Sequence, residues 1–452
     1  MRIVPRKRLL DWDAFEPTPD LKIVLWILNI LPDEKLIHAI RRARGKGRND
    51  YPPLVCWRVF LLLFLLNYPS RQACLDELRR NPALRKVVGV FWPAEVPSAS
   101  AMSRFQRKLG MEPFASLMRK VFEDLIKRLQ KEIKDLGASL AGDASGLAAR
   151  RDDPAPGEKR PDHLPIPKGG RKEYKDENGV VTETVEWFGY AMHLIVDSVY
   201  EVVLGWTMTD ANTHDAEVFP DLLKDVCERL PKGRPQILTY DRAADSEAIH
   251  RDCMNRKIKP VIKARRMWKS EPERPLPGHE GDNLVYDEDG VVYCYDMSGK
   301  KPIRHAMYFD GYENKRGTLK YRCPAKAQGW NCPYSDHCNG TRSYGRTVRV
   351  RCSDDPRRFP PVPRNTKTFT RLHNQRTAVE RVNCRIKKQS GLHTDVLAGA
   401  ARCLAAVSGA MIIHAAKALF LSVHRDEKHT LGGTKITGKP YYPKHDRMLA
   451  AG

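Results

Sequence analysis

The sequence is short of acid. Among its 452 residues 55 Asp and Glu stand against 78 Lys and Arg, a formal charge of +23. That surplus exceeds what solubility requires and points to a polyanionic partner, nucleic acid before membrane phospholipid. The chain also lacks an uninterrupted apolar run of about 20 residues, the length that crosses a bilayer. Its longest weakly charged stretch, Cys403 to Ala416, is bounded by Arg402 and Lys417 and reads as a buried helix. A secretion signal is missing too. Asp11, Asp13 and Glu16 follow the basic Arg2, Arg6, Lys7 and Arg8, and the apolar run Ile23 to Leu31 comes late with no small-residue cleavage site. Eleven cysteines, an odd and unevenly spread set with no Cys-x2-Cys pair, argue against a disulfide framework and for reduced thiols in a cytosol. There is no internal repeat. What is present is enough apolar content, 41%, to exclude wholesale disorder. The length suits roughly two to four domains.

Residues 1–135 read as a helical region. Leu61 to Leu66, Arg71 to Arg80 and Pro113 to Leu136 carry helical patterning with Pro or Gly punctuation. Between them, Ser98 or Ser100 can cap a helix that shows Arg104, Arg107 and Lys108 on one face. Such a helix either lies in a DNA groove or is a solvated basic face. From about residue 136 the rhythm changes to β-β-β-α-β-α-β through residue 265, a mixed sheet with helices on its faces. Ser139 to Ser145, Gly189 to Val196, Val202 to Met208, Gln236 to Tyr240 and Pro260 to Lys263 are the strands, and residues 150–185 form a long basic loop. Residues 266–368, rich in proline and carrying Asp289-Gly290 between two β-type runs, read as an inserted β-rich subdomain. Residues 369–425 return to helix, and 426–452 are a basic flexible tail.

Three acidic residues are conspicuous by position. Asp143 interrupts an apolar strand, where an unpaired carboxylate is costly unless it binds something. Asp241 ends a strand, at the edge of an open sheet where ligands are usually met, although a turn former or helix cap would also sit there. Glu380 lies on a helix after the insertion. His373, Arg376, Glu380 and Lys387 follow one another at spacings of 3, 4 and 7 and fall in one stripe at 100° per residue, beside an apolar stripe of Val379, Val382 and Ile386. A carboxylate among phosphate-binding cations suits phosphodiester chemistry, in which two divalent ions about 4 Å apart activate the attacking oxygen and stabilise the leaving one. An ordinary salt-bridged surface has the same spacing.

The pattern His373-x2-Arg376-x3-Glu380-x6-Lys387 resembles the Tyr-x2-Arg-x3-Glu-x6-Lys signature of bacterial insertion-sequence DDE transposases. Asp241-Arg242-Ala243-Ala244-Asp245 resembles their Asp-Arg-Glu-Ala-Asp motif, Gly142-Asp143-Ala144-Ser145 their first catalytic strand, and Thr209 to Asp215 is similar to a further family segment. The likeness covers roughly residues 50–420. It implies an α/β fold with an RNase H-like, retroviral-integrase-like mixed-sheet core, a helical N-terminal DNA-binding region and an inserted β-rich subdomain. It implies Asp143, Asp241 and Glu380 as the catalytic set holding Mg²⁺, with Mn²⁺ able to substitute. Arg376 and Lys387 would grip phosphates, with His373, Arg242, Arg104, Arg107 and Lys108 as further DNA contacts. The implied activity is metal-dependent cleavage at the ends of a mobile element and 3′-hydroxyl strand transfer into target DNA. The partners are double-stranded terminal inverted repeats and target DNA, with a homodimer pairing two ends in the nucleoid of the cytoplasm and no membrane. His373 stands where the family has Tyr, and Ala243 where it has Glu. The alternatives are an RNase H-like endonuclease that cuts without joining, or a domesticated, non-catalytic DNA-binding protein.

Cys323, Cys332, Cys338 and Cys352 cluster in the insertion, with Cys294 and His337 nearby. Four thiolates would suit a structural Zn²⁺. Their spacings of 8, 5 and 13 intervening residues fit no zinc knuckle and leave free cysteines as the other reading.

Overall fold

The computed structural model describes residues 19–44, 51–150, 160–175, 180–269, 271–392, 397–424, 430–431 and 434–435. The basic N-terminus and most of the basic tail therefore lie outside the described residues. The helical region comprises α1 (Pro19–Ile30), α2 (Glu34–Arg42), α3 (Pro53–Leu65), α4 (Arg71–Arg80), α5 (Pro82–Val88), α6 (Ala99–Leu109) and α7 (Phe114–Glu132). Local chemistry sets the boundaries. Ser70 Oγ accepts from the Ala73 amide at 3.1 Å, Asn81 Oδ1 from Leu84 at 3.0 Å, and Ser98 Oγ from Ala101 at 3.2 Å. Each satisfies an N–H that the first helical turn leaves open. On α7, Phe114, Met118, Val121, Phe122, Leu125, Ile126 and Leu129 recur at helical spacing and are all buried.

The central sheet contains β1 (Ser139–Ala148), β2 (Lys168–Lys175), β3 (Val181–Asp197), β4 (Val203–Asp210), β5 (Ile237–Tyr240) and β6 (Lys259–Ile262), with α8 (Asp215–Arg229) and α9 (Glu247–Asn255) as crossovers. The inner half of β3 lies between β4 and β1, and β1, β5 and β6 continue the sheet in parallel. The one departure from the expected order is β2. It pairs antiparallel with the outer half of β3, from Lys168 opposite Gly189 to Lys175 opposite Val181, so part of the expected 150–185 loop is a hairpin arm. β2 reads Lys-Gly-Gly-Arg-Lys-Glu-Tyr-Lys, so the apolar alternation that announces a strand is missing and backbone pairing defines it, while the outer half of β3 exposes Val181, Val185 and Phe188.

The insertion folds around its own core. β7 (Glu273–Pro275), β8 (Leu284–Asp287), β9 (Val292–Asp296) and β10 (Ile303–Ala306) form one sheet; β11 (Tyr308–Glu313), β12 (Thr318–Arg322) and β13 (Thr347–Arg351) form another. α10 (Pro324–Gln328) and α11 (Ser335–Asn339) lie between β12 and β13. Asp289-Gly290 turns β8 into β9 as expected, with Gly290 at φ +79° and its α-carbon close against the Arg358 carbonyl.

The chain then returns as α12 (Lys367–Asn374), α13 (Thr377–Cys384), a π-helical turn at Arg385–Gln389, and α14 (Ala400–Val423). The tail carries a two-residue pair, β14 (Thr430–Leu431) with β15 (Thr434–Lys435). α14 is long and apolar enough to cross a membrane, yet 83% of its apolar window is buried inside the molecule. It packs against α1, α3, α6 and α7. One hydrophobic core thus joins the N-terminal helices, the central sheet and α14, from Ile23 to Leu421. The approach of α6 to α14 is close enough that a Cβ on Gly110 would stand 1.8 Å from the Ala401 carbonyl oxygen. Because that neighbour is backbone, Gly110→Ala is expected to destabilise the fold by about 1–3 kcal/mol, measured as a lowered urea midpoint at unchanged slope.

Candidate active site

The sheet register sets two of the carboxylates together. Ser139 to Ala141 on β1 pair in parallel with Ile237 to Thr239 on β5. Carried two residues further, this register brings Asp143 on β1 opposite Asp241, the residue that follows β5 and caps the short turn after it. Both line a cavity of about 550 Å³, and Asp215, in the first turn of α8, lines it as well. Burial pushes the Asp143 carboxyl up to about 6, opposed by Lys172 and reinforced by the charges of Asp241 and Asp215, with Arg376 also pulling it down. Asp215 is fixed from two sides: Tyr240 donates its hydroxyl to Oδ2 at 3.2 Å, and His193 Nδ1 lies 3.2 Å from Oδ1. The second contact is one of distance, since His193 Nδ1 makes no aligned hydrogen bond, while its Nε2 meets Thr209 Oγ1 at 2.9 Å. Gly142 leaves room for this arrangement, because a Cβ there would enter the Tyr240 ring at 2.3 Å.

α13 packs on β1 and β3 through the buried Val379 and Val382, with Ile386 in the turn beyond. Arg381 anchors it from the far side by donating Nε to the buried Glu201 at 2.8 Å. This docking brings Asn383 to Asp143, Nδ2 to Oδ2 at 3.4 Å, and leaves Asn383 Oδ1 buried with no hydrogen-bond partner. Glu380 lies one turn earlier, with its side chain 49% exposed and paired to Arg376 at 2.7 Å. It does not line the cavity, and among the described residues no three His, Cys, Asp or Glu side chains stand at metal-binding distances.

The expected stripe of four is not one continuous helix. His373 belongs to α12, Arg376 marks the break before α13, and Lys387 lies in the π-helical turn. The half-buried His373 ring stacks on Phe369, and burial, with Lys263 and Arg376 nearby, lowers its pKa to about 4. At neutral pH it is uncharged, so the stripe offers two cations. Lys387 donates to the Gly146 carbonyl of β1 at 2.6 Å, and burial lowers its pKa. Arg242 is exposed on the short turn after Asp241.

Four groups lining the site were not singled out from the sequence: Asp215, Arg171, Lys172 and Arg265. Asp215 carried a signal, as the last residue of the Thr209 to Asp215 segment. Arg171 and Lys172 arrive on the β2–β3 arm, whose polar alternation gave none, and Asn383 likewise reaches Asp143 only through helix docking. On α6, Arg104 is exposed and Arg107 half-buried, while Lys108 donates to the Ala43 carbonyl at 3.3 Å and lies over the Phe114 ring. Of the three cations once placed on a single DNA-facing stripe, Lys108 is therefore engaged within the helical region.

The thiols also differ from expectation. Cys323, Cys332 and Cys338 line one small cavity with Cys294. Cys352 instead extends the inward parity of Val348 and Val350 on β13 and is fully buried in the insertion core. All eleven cysteines are free.

The family model described as "Transposase DDE domain" matches residues 142–414, a span containing Asp143, Asp215, Asp241 and Glu380. A second model, described as "Transposase domain (DUF772)", matches residues 10–108. No curated protein matches the chain. Among solved structures the chain is similar to the piggyBac transposase in a cryo-EM structure of its synaptic complex with hairpin DNA. The two are 12% identical, 94% of this chain and 78% of that one are covered, and the TM-score is 0.38. A likeness at that level carries no argument about this chain.

Proposed function

We propose a reaction course from one premise: the chain belongs to the transposase DDE-domain family and is a DNA transposase, an enzyme. The reading is an RNase H-like core that cleaves a phosphodiester at the ends of its element and transfers the freed 3′-hydroxyl into target DNA. The observation that carries it is the convergence of Asp143, Asp215 and Asp241 on one cavity at the ends of neighbouring strands, with the helix that bears Glu380 packed on β1 beside it. These groups fit a divalent cation such as Mg²⁺. All are oxygen donors, like charge accumulates on the buried Asp143, and the buried Asn383 Oδ1 lacks a partner beside it. Such an ion would supply Lewis-acid polarisation of the phosphate oxygens and lower the pKa of the attacking water.

The remaining work belongs to the chain's own side chains. Arg171, Lys172 and Arg265 line the cavity and neutralise the phosphates that enter it. Tyr240, kept protonated because burial and three carboxylates push its pKa far up, holds Asp215 by its hydroxyl. Lys387 clamps β1 at Gly146 and keeps Asp143 at its register position. Glu380 exchanges Arg376 for the site when DNA arrives, freeing the guanidinium for a phosphate. Two copies of the chain pair two ends.

A cleavage assay with an end-containing duplex, Mg²⁺ and a supercoiled plasmid tests this reading. Joined product carrying the donor 3′ end in the plasmid is expected. Cutting without joining would reduce the protein to a nuclease, and binding without cutting would leave only a DNA-binding role. Within the same assay, Asp215→Asn is expected to raise the Mg²⁺ concentration for half-maximal cleavage by about tenfold or more, the usual effect of removing an outer carboxylate.

A further inference from the structure

The excursion between β12 and β13 is poorly supported by ordinary packing. None of residues 324–346 contributes a side chain to the hydrophobic core of the insertion. Its two helices, α10 and α11, have five residues each, far below the length at which a helix holds itself in water. Yet the segment is folded back against β9 and β10, where Trp330 meets the His305 ring at 4.8 Å and four sulfurs share the contact surface. Cys294 on β9, Cys323 at the end of β12, Cys332 between the short helices and Cys338 on α11 all line one cavity of about 20 Å³. That volume suits a single ion or water and no organic ligand.

Two amides are aimed at these sulfurs. Asn339, 3% exposed, donates Nδ2 to Cys323 Sγ at 3.5 Å, and Asn283 donates Nδ2 to Cys338 Sγ at 3.6 Å. Each amide is itself held. Asn339 Oδ1 accepts from the Arg346 amide at 2.5 Å, and Arg346 Nη1 donates to Asn283 Oδ1 at 3.1 Å. N–H groups donating to sulfur are the outer-shell contacts found around thiolate metal sites.

We propose that Cys294, Cys323, Cys332 and Cys338 bind one structural Zn²⁺, and that this ion staples the 323–346 excursion to β9. The site is separate from the carboxylate cavity. The four thiols line the cavity without standing at ligand distance of one another, so they close on the ion by side-chain rotation to Zn–S bonds of about 2.3 Å. Four protons leave as four Zn–S bonds form, giving a tetrathiolate with two net negative charges, to which the Asn283 and Asn339 amides donate. Cys352 is no ligand, because strand parity commits it to the core.

The test uses the full-length protein purified under reducing conditions without chelator. Elemental analysis is expected to give about one zinc per chain, retained in an Asp143→Asn/Asp241→Asn background that disables the carboxylate site. Exchange of zinc for Co²⁺ is expected to give the strong sulfur-to-metal charge-transfer band of a tetrahedral tetrathiolate. Cys294→Ser and Cys332→Ser should each lower the zinc content at least tenfold, and Cys384→Ser, at an exposed position, should leave it unchanged. The cobalt spectrum of the parent protein needs no variant and stands even if a serine variant folds poorly. The proposal is overturned by a parent protein with neither zinc nor the cobalt–thiolate band. It is also overturned by loss of zinc in the Asp143/Asp241 background, by Cys352→Ser removing zinc while Cys294→Ser keeps it, or by a non-reducing thiol count showing disulfides among the four.

Discussion

Asp143→Asn is expected to abolish strand cleavage, with a loss of at least about 10³-fold and DNA affinity unchanged. Removing one carboxylate from a buried, oxygen-lined metal site forfeits several kcal/mol of transition-state stabilisation, and about 1.4 kcal/mol is tenfold in rate. Asp241→Asn, in the same cavity at the end of β5, should lose as much. Glu380→Gln should fall equally far in cleavage, but with a difference in metal binding. Because Glu380 is paired to Arg376 outside the cavity, its loss should leave divalent-ion affinity of the DNA-free protein nearly unchanged, whereas the Asp143 change should not. Single-turnover cleavage and calorimetric metal titration separate the two effects. Equal cleavage by parent and Asp143→Asn protein would end the proposed mechanism.

The same substitution has a stability consequence of opposite sign. Asp143 has its folded-state pKa raised from 3.8 to about 6, so ionisation works against folding. The protonated form contributes fully below about pH 3.8, and the advantage is lost as pH rises through 6. Above that the strain is on the order of 3 kcal/mol in metal-free protein. Asp143→Asn should therefore melt higher than the parent at pH 8 without metal, and Mg²⁺ should narrow the gap by stabilising only the parent. In the proposed mechanism a bound cation would relieve that strain.

Asp245→Ala is expected to cost about 3–5 kcal/mol, the effect of removing one partner of a buried ion pair. This carboxylate has no exposed surface and serves as the joint between core and insertion. Oδ2 accepts from the Arg265 amide at 2.7 Å and from Arg357 Nε at 2.8 Å, while Oδ1 meets His250 Nε2 at 3.0 Å and Arg364 at 3.6 Å. Arg364 is buried and also donates to the carbonyls of Ile262, Asp289 and Arg357, so removing Asp245 strands its charge. Burial alone would raise the Asp245 pKa, but the hydrogen bonds from His250 and Arg265 and the Arg364 charge outweigh it and hold it at about 2. A depressed folded-state pKa means this stabilisation is present above the ordinary 3.8 and is lost as pH falls through 2. Chemical denaturation should show the loss at neutral pH. Limited proteolysis should cut first where the chain enters and leaves the insertion, and cleavage activity should fall with it because Asp241 lies on the same turn.

The two aspartates of one motif thus carry different work, which spacing alone did not separate. Asp241 and Asp245 both follow β5, but only Asp241 keeps strand parity with Asp143, while the short turn at Arg242–Ala244 swings Asp245 inward to the insertion's arginines. The stripe through His373, Arg376, Glu380 and Lys387 shows a related gap. An even 100° rotation assumed one helix, whereas the break after Asn374 and the π-helical turn redistribute the four groups among three local geometries. Burial then removes the charge of His373 and commits Lys387 to β1. The pairing of β2 with β3 is illegible in the sequence because β2 carries no apolar alternation, although the outer half of β3 exposes Val181, Val185 and Phe188.

Sequence by itself determined the mixed α/β class, the order of the core elements apart from β2, and the family to which the chain belongs. Those follow from local periodicity, caps, turns and motif spacing, which act over a few residues. It also fixed the acid deficit of +23, and the structure gives part of that charge an address: Arg171, Lys172 and Arg265 around three aspartates. Only the tertiary structure decided which groups share a site. It brought Asp215 and Asn383 to Asp143, left Glu380 on Arg376, replaced Cys352 by Cys294 among the clustered thiols, and sealed α14 inside the molecule. The Asp143 contacts and the burial of α14 depend on strand register or helix docking between segments about 70 to 380 residues apart, and the thiol cluster on segments about 30 to 45 apart, where charge and burial are settled by neighbours that no local pattern names.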